Sequence, residues 1–349
     1  MRYNGIKRYR LTERERLILQ YIVHNYILTA DPVGSRALSR RYGINLSPAT
    51  IRNVMSDLEE MGLLTHPHTS AGRIPTDIGY RLYVDSLMQI EELPDEIMNT
   101  ISSHMEQTST EVTNVLDSVS DLLSEVTRLL SVISAPDVSV GKLSKIELVR
   151  VTHDRIMVVI IVKSGLVRTI NLELHTVISD SEIIEAVHFL NHRLCGLTLT
   201  EIPLKIVKRL AGDNSRKNAI VRLFLEFPDK IFDLDSKPEM LIGGARHVLE
   251  LPEYQSADRF KGIIELIEDR DVIVHLLKQR ENGLTVTIGN ENQDDQLKNM
   301  SVITSKYRVG DHFGTLGIIG PTRMNYSRLV ALVDYTSKLV TERVDRDKS

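Results

Sequence analysis

Ser47-Pro48-Ala49-Thr50-Ile51-Arg52-Asn53-Val54-Met55-Ser56-Asp57-Leu58-Glu59-Glu60-Met61-Gly62 reads as a helix with both ends marked and two unlike faces. The Ser47 hydroxyl can accept from a first-turn amide that has no partner inside the helix, and Pro48 suits the first helical position, where no backbone donor is needed. Gly62 supplies the stop. Ile51, Val54, Leu58 and Met61 recur at steps of three and four and form one apolar stripe, leaving Ala49, Thr50, Asn53 and Ser56 opposite it. Long charged side chains normally cover an exposed helix. A short, neutral, hydrogen-bonding face with Arg52 beside it suits close approach to base edges in a major groove. Asp57, Glu59 and Glu60 fall toward the far end, which is tolerable where only the N-terminal turns enter a groove. A solvated helix of any small domain could carry the same pattern, so the flanking residues decide.

Upstream, Thr12 and Glu15 have capping-box spacing and open a helix with apolar positions Ile18, Leu19, Ile22, Val23 and Tyr26, ending near Thr29. Asp31-Pro32-Val33-Gly34 breaks the chain. A short helix over 35–42 and the turn Gly43-Ile44-Asn45-Leu46 then lead into Ser47, giving a helix-turn-helix order. After Gly62, residues 63–75 read as two short strands around a small tip, a wing, and Thr76 caps a further helix through Tyr80, Tyr83, Val84 and Leu87 that closes the domain near Met88. Charge favours a nucleic-acid partner at this end. Residues 1–85 hold 12 Lys and Arg against 8 Asp and Glu, whereas the whole chain has a net charge of −4. Arg2, Lys7, Arg8, Arg10, Arg36, Arg40, Arg41 and Arg73 can neutralise phosphates, which contributes affinity and salt dependence rather than specificity.

Pro32-Val33-Gly34-Ser35, Ser47-Pro48-Ala49-Thr50-Ile51-Arg52-Asn53, Pro67-His68-Thr69-Ser70-Ala71-Gly72-Arg73-Ile74-Pro75-Thr76 and Gly79-Tyr80 resemble the winged-helix domain of the HrcA family, bacterial heat-inducible repressors of chaperone operons. The resemblance continues in Ile288-Gly289-Asn290-Glu291-Asn292 and in Gly317-Ile318-Ile319-Gly320-Pro321-Thr322-Arg323-Met324-Asn325-Tyr326, so it spans nearly the full chain. It implies a homodimer on double-stranded DNA at the inverted-repeat operator CIRCE, upstream of the groE and dnaK operons, with the GroEL chaperonin maintaining the active repressor. Ala49, Thr50, Arg52 and Asn53 are the candidates for base-proximal contacts, with Ser35, Arg36, Ser47, His68, Ser70 and Arg73 on the backbone or in the minor groove.

Beyond the winged segment, Glu91-Glu92-Leu93-Pro94-Asp95-Glu96 marks a boundary. Met98, Met105, Val112, Val119, Val126 and Ile133 then sit seven apart, with Leu116, Leu123 and Leu130 between the later ones. A coiled coil would use that repeat, although Ser102 and Ser109 weaken its first half, and one or two helices lying on the following domain is the preferred reading. From Lys145 the pattern turns to strands, with 155–162 and 166–174 forming a hairpin through Lys163-Ser164-Gly165. A helix over 181–194 follows. Strand signals return at 284–289, 301–307 and 313–319 before a closing helix over 326–344, and the stretch between, roughly 208–282, is mostly helical. The order predicts an α+β fold interrupted by an insertion. The family resemblance implies a GAF-like domain split by an inserted dimerisation domain, giving 1–90 as the winged helix-turn-helix, 91–207 and 283–349 as the two parts of the GAF-like domain, and 208–282 as the insertion.

The chemical motifs are weak. Gly314-Thr315-Leu316-Gly317-Ile318-Ile319-Gly320 lacks dinucleotide-fingerprint spacing, and Pro321 stands where a helix should open. His66 and His68, and His188 with His192, lack the further ligands of a metal site, and no nucleophile, base and orienting acid can be assembled. Neither a cofactor nor a metal is expected, and an enzyme is the least favoured class. Cys195, the single cysteine, is read as packing between Leu194 and Leu197. Arg323 invites either a binding-site or a domain-interface reading. No apolar run approaches membrane-spanning length, and Met1-Arg2-Tyr3-Asn4-Gly5-Ile6-Lys7-Arg8 lacks the apolar core of a secretory signal, so a cytoplasmic location is expected. Two rivals stand beside the repressor. A small-molecule-responsive regulator would have a pocket with convergent polar groups, and an architectural protein would show little operator preference.

Overall fold

A computed structural model describes residues 9–43, 46–67, 72–107, 112–136, 141–174, 178–211, 218–232, 240–278 and 283–346. The N-terminal helices form where their caps place them. α1, Glu13–Thr29, carries the complete capping box of Thr12 and Glu15 and ends at Ala30 in the left-handed conformation; α2 is Ser35–Arg41. α3 spans Pro48–Glu60, and its end is a Schellman motif: the Gly62 amide donates to the Glu59 carbonyl and the Leu63 amide to Leu58, with Gly62 at φ +75. Strands β1, Leu64–Thr65, and β2, Ile74–Pro75, pair antiparallel. Thr76 then caps α4, Asp77–Leu82, which continues as a π-helical turn over Tyr83–Leu87. The core of this part includes most of the periodic set read from the sequence: Ile18, Leu19, Ile22, Ile51 and Leu58 are fully buried, joined by Leu63, while Met61 is half-buried.

The heptad does not build a coiled coil. It divides into α5, Asp95–Gln107, and α6, Val112–Thr127, and its last two positions, Leu130 and Ile133, belong to strand β3, Leu130–Ser134. Ser102, an oddity in an apolar seam, meets the Tyr335 hydroxyl at 3.0 Å, and Ser120 meets Ser131 of β3 at 2.8 Å. The seven-residue repeat thus reports helices packed on a sheet domain.

By internal contacts the chain forms two compact units: 1–133 with 240–306 and 315–340, and 134–239 with 307–314 and 341–349. In the second unit β4, Leu143–Thr152, β5, Arg155–Val162, and β6, Val167–Glu173, make an antiparallel meander. β5 alternates strictly, with Ile156, Val158, Ile160 and Val162 buried. Four helices accompany it: α7, Asp180–Leu194, α8, Glu201–Arg209, α9, Ala219–Glu226, and α10, Pro228–Phe232. The Asn191 side chain of α7 satisfies both backbone groups of Ile146, at 2.7 and 2.8 Å. Cys195 differs from its sequence reading, because it ends α7 and is exposed, with its thiol donating to the Ser144 carbonyl at 3.0 Å.

The chain returns to the first unit with β7, Met240–Gly243, followed by α11, Ala245–Leu249, α12, Ala257–Glu268, α13, Arg270–Lys278, and β8, Thr285–Ile288; β9, Met300–Val309, β10, His312–Pro321, and α14, Tyr326–Arg346, come after it, and of these 307–314 and the end of α14 from 341 fall in the second unit. The sheet order is β7-β3-β10-β9-β8. Leu130, Val132, Met300, Val302 and Ile319 pack with Val248, Ile263, Leu266 and Ile273 of α11–α13 on one face. On the other, Ser301 and Ser305 bond Tyr326 and Ser337 of α14. Both faces are covered, which is why every residue of β3 is buried, its serines included, and every residue of β10 except Phe313. Residues 240–278, expected within an insertion over 208–282, therefore belong to the core of this sheet. A helical pattern alone does not distinguish helices covering a sheet from helices forming a separate body.

Candidate nucleic-acid interface

The first two turns of α3 form the exposed part of the N-terminal region that best fits a groove. Ser47 caps them, its Oγ accepting from the Thr50 amide at 3.1 Å and meeting the Thr50 hydroxyl at 2.9 Å. Ser47, Ala49, Arg52, Asn53 and Ser56 are exposed, and Thr50 is half-buried. The side chains of Arg52 and Asn53 make no hydrogen bond or ion pair with another described residue, so their polar groups are available to a ligand. Two candidates are less open than the sequence implied. The Thr50 hydroxyl is engaged in the cap, and Ser35 is buried at the first position of α2.

Beside this face three arginines meet. Val33 and Arg73 exchange backbone hydrogen bonds at 2.9 Å in each direction, which ties the start of β2 to the link between α1 and α2. The result is a cleft of about 630 Å³ whose walls include Ser35, Arg36, Arg52 and Arg73. The exposed guanidinium groups of Arg36 and Arg52, with the partly exposed Arg73 beside them, suit phosphate oxygens. His68 and Ser70, the other two candidates, lie outside the described residues, as do Ile44 and Asn45 of the turn before α3.

Glu59 is the residue that sequence reasoning undervalued. Read as an anion tolerated at the far end of α3, it instead holds the hairpin, with His66 Nδ1 2.5 Å from one oxygen and Arg73 Nε donating to the other at 2.8 Å. The hydrogen bond from His66, with Arg73 beside it, keeps the Glu59 carboxyl below its ordinary range. The spacing offered no signal, because the partners come from the hairpin and not from the same helix.

A second missed set fixes this region to the sheet domain. Arg81 of α4, only 3% exposed, donates to both oxygens of Glu291, to the Val286 carbonyl at 2.7 Å and to Asp85 at 3.2 Å. Burial works against its charge, but Glu291 and Asp85 more than offset that and hold the guanidinium protonated. Asp77 accepts from the backbone and side chain of Asn290, at 3.0 and 2.9 Å. Gly289, at φ +52, has no room for a side chain, since a Cβ there would lie 2.1 Å from the Asp77 carboxylate. Arg323 donates to the Ile27 carbonyl of α1 at 2.7 Å and to Glu253 at 2.5 Å. The interface reading of Arg323 is thereby realised. The two distal motifs, Gly289-Asn290-Glu291 and Arg323, are among the attachment points of the N-terminal region.

The family model described as HrcA protein C terminal domain matches residues 113–330. The heat-inducible transcription repressor HrcA of Chlorobium chlorochromatii is 40% identical over 337 residues, covering 93% of this chain and 95% of that protein. That of Geobacter sulfurreducens is 36% identical over 338 residues, covering 96% and 98%. A crystal structure of a hypothetical protein at 2.2 Å resolution has a TM-score of 0.64 and 25% identity, covering 97% of this chain and 99% of its own. Among the described residues no helix is long and apolar enough to cross a membrane.

Proposed function

The chain belongs to the HrcA family of heat-inducible transcription repressors, and from that premise we propose that it acts as a dimer on the CIRCE inverted repeat upstream of groE and dnaK operons, under control of the GroEL chaperonin. Exposed, unpartnered Arg52 and Asn53 on a capped helix, with Arg36 and Arg73 at its side, are the observation that carries this reading. In it, residues 1–90 are a winged helix-turn-helix. The N-terminal turns of α3 enter the major groove, with Ala49, Arg52 and Asn53 against base edges and Thr50 at the cap. Arg36, Ser47 and Arg73 contact the backbone, with Ser35 in the lining of the cleft and His68 and Ser70 as further backbone or minor-groove contacts.

The five-stranded sheet with its helices serves as the GAF-like domain, and the unit over 134–239 serves as the inserted dimerisation domain. Two-fold symmetry of the protein then matches two-fold symmetry of the operator. The test is footprinting of the purified chain on the groE promoter of its own organism, with and without GroEL. Protection of both halves of an inverted repeat, strengthened by GroEL, is the expected result. Absence of protection at any inverted repeat would refute it.

A further inference from the structure

Below the Arg323 attachment lies a cavity of about 570 Å³ that DNA binding does not use. Its volume is within the range of about 300 to 1,000 Å³ typical of small-molecule sites. Three oxygens of its lining residues have no hydrogen-bond partner: Glu253 Oε2, Gln296 Oε1 and the Tyr254 hydroxyl. Tyr254 is 3% exposed, and burial, followed by the nearby Glu253 charge, raises its pKa, so it stays a neutral hydroxyl. Buried polar groups without partners are uncommon and costly, and three on residues that line one cavity form a set of unmet demands.

The chemistry of those demands is one-sided. Glu253 Oε2 and Gln296 Oε1 can only accept, and Tyr254 can do either. The two guanidinium groups in the lining are already used, Arg323 by Glu253 Oε1 and the Ile27 carbonyl, and Arg259 by the Glu253 carbonyl at 3.3 Å. Asp258 adds a carboxylate at the rim. We propose that this cavity is a binding site for a small hydrogen-bond-donating cation of the amine or guanidinium class. The three oxygens lie below the solvent-accessible surface, so an occupant reaches them only as the lining gives way, and the exposed Arg259 is held in that lining by one hydrogen bond of 3.3 Å. Tyr26 of α1 lines the same cavity, so an occupant touches the N-terminal region directly.

The test is calorimetric titration of the full chain with agmatine and putrescine, and with inorganic phosphate as the anionic control. Saturable one-to-one binding of an amine is expected, weakened roughly tenfold or more by Gln296→Leu, which leaves the Arg323 contacts intact. Arg259→Ala, which removes a positive charge from the lining, should bind the amine at least as tightly as the parent. Glu253→Gln should abolish binding, with a thermal melt to confirm that the loss of the Arg323 pair has not unfolded the protein. Two results would overturn the proposal: no saturable binding of either amine, or binding of phosphate that Arg259→Ala removes.

Discussion

Arg73 and Arg81 stand close in sequence, and each faces a glutamate, yet the two pairs live in different media. Arg73 and Glu59 have side chains about a quarter exposed, at 24% and 25%, while Arg81 and Glu291 stand at 4% and 14%. Near water an ion pair contributes little, so Arg73 can exchange its carboxylate for a phosphate at small cost. Out of water the same pairing is obligatory, because an Arg81 without Glu291 would be a buried charge with only Asp85 left to answer it. One side of the N-terminal region is built to change partners and the other to keep them.

The largest expected effect therefore belongs to the buried pair. Arg81→Ala should lower unfolding free energy by about 3 to 5 kcal/mol in urea denaturation, and Arg81→Met combined with Glu291→Met should recover more than half of the loss. A loss under about 1 kcal/mol would place Arg81 in the same class as exposed pairs. Next comes Asn53→Ala, the reference for a base contact. It should cost about 1 to 3 kcal/mol on the operator in fluorescence anisotropy and little on random DNA. Equal loss on both sequences would remove its reading role.

Arg73→Ala should weaken all sequences alike and reduce the salt slope of binding by about one, with under about 1 kcal/mol lost in stability. The smallest effect is electrostatic. Glu59 is held below its ordinary value of 4.5 in the folded chain. Its contribution to stability is then present above that value and lost as pH falls through the lowered folded one. An NMR titration of Glu59 should show a midpoint under 4.5, raised more by His66→Ala than by Arg73→Ala. A midpoint indifferent to both changes would mean that the hairpin is not held through this carboxylate.

The parts of the fold legible in the sequence are those governed by neighbours along the chain. Thr12 with Glu15, Ser47 with Pro48, Thr76 and Gly62 set helix ends because caps act over three or four residues. The strand at Leu130–Ser134 was hidden, since its leucine and isoleucine continued a seven-residue rhythm begun by real helices. At Met240–Gly243 the strand is too short for its period to show. The exposed face of α3 followed from periodicity. The Arg81–Glu291 pair and the partners of Glu59 did not, because tertiary folding brings these groups together and leaves no local spacing to read. The oxygens of Glu253, Tyr254 and Gln296 are likewise unremarkable in sequence and meet only around a cavity.

The way α4 is buried bears on how the molecule can be divided. Tyr80 lies 5.8 Å from Tyr326, ring to ring, and Arg81 takes its partners from Val286 and Glu291. A fragment ending at Met88 would retain the whole of α3 and both short strands while exposing an aromatic ring and stranding a cation. The smallest piece that keeps the native N-terminal region is therefore discontinuous in sequence, drawing on both ends of the polypeptide. On a ribosome, this region would wait for Glu291 and Tyr326 to be synthesised before its last face could close.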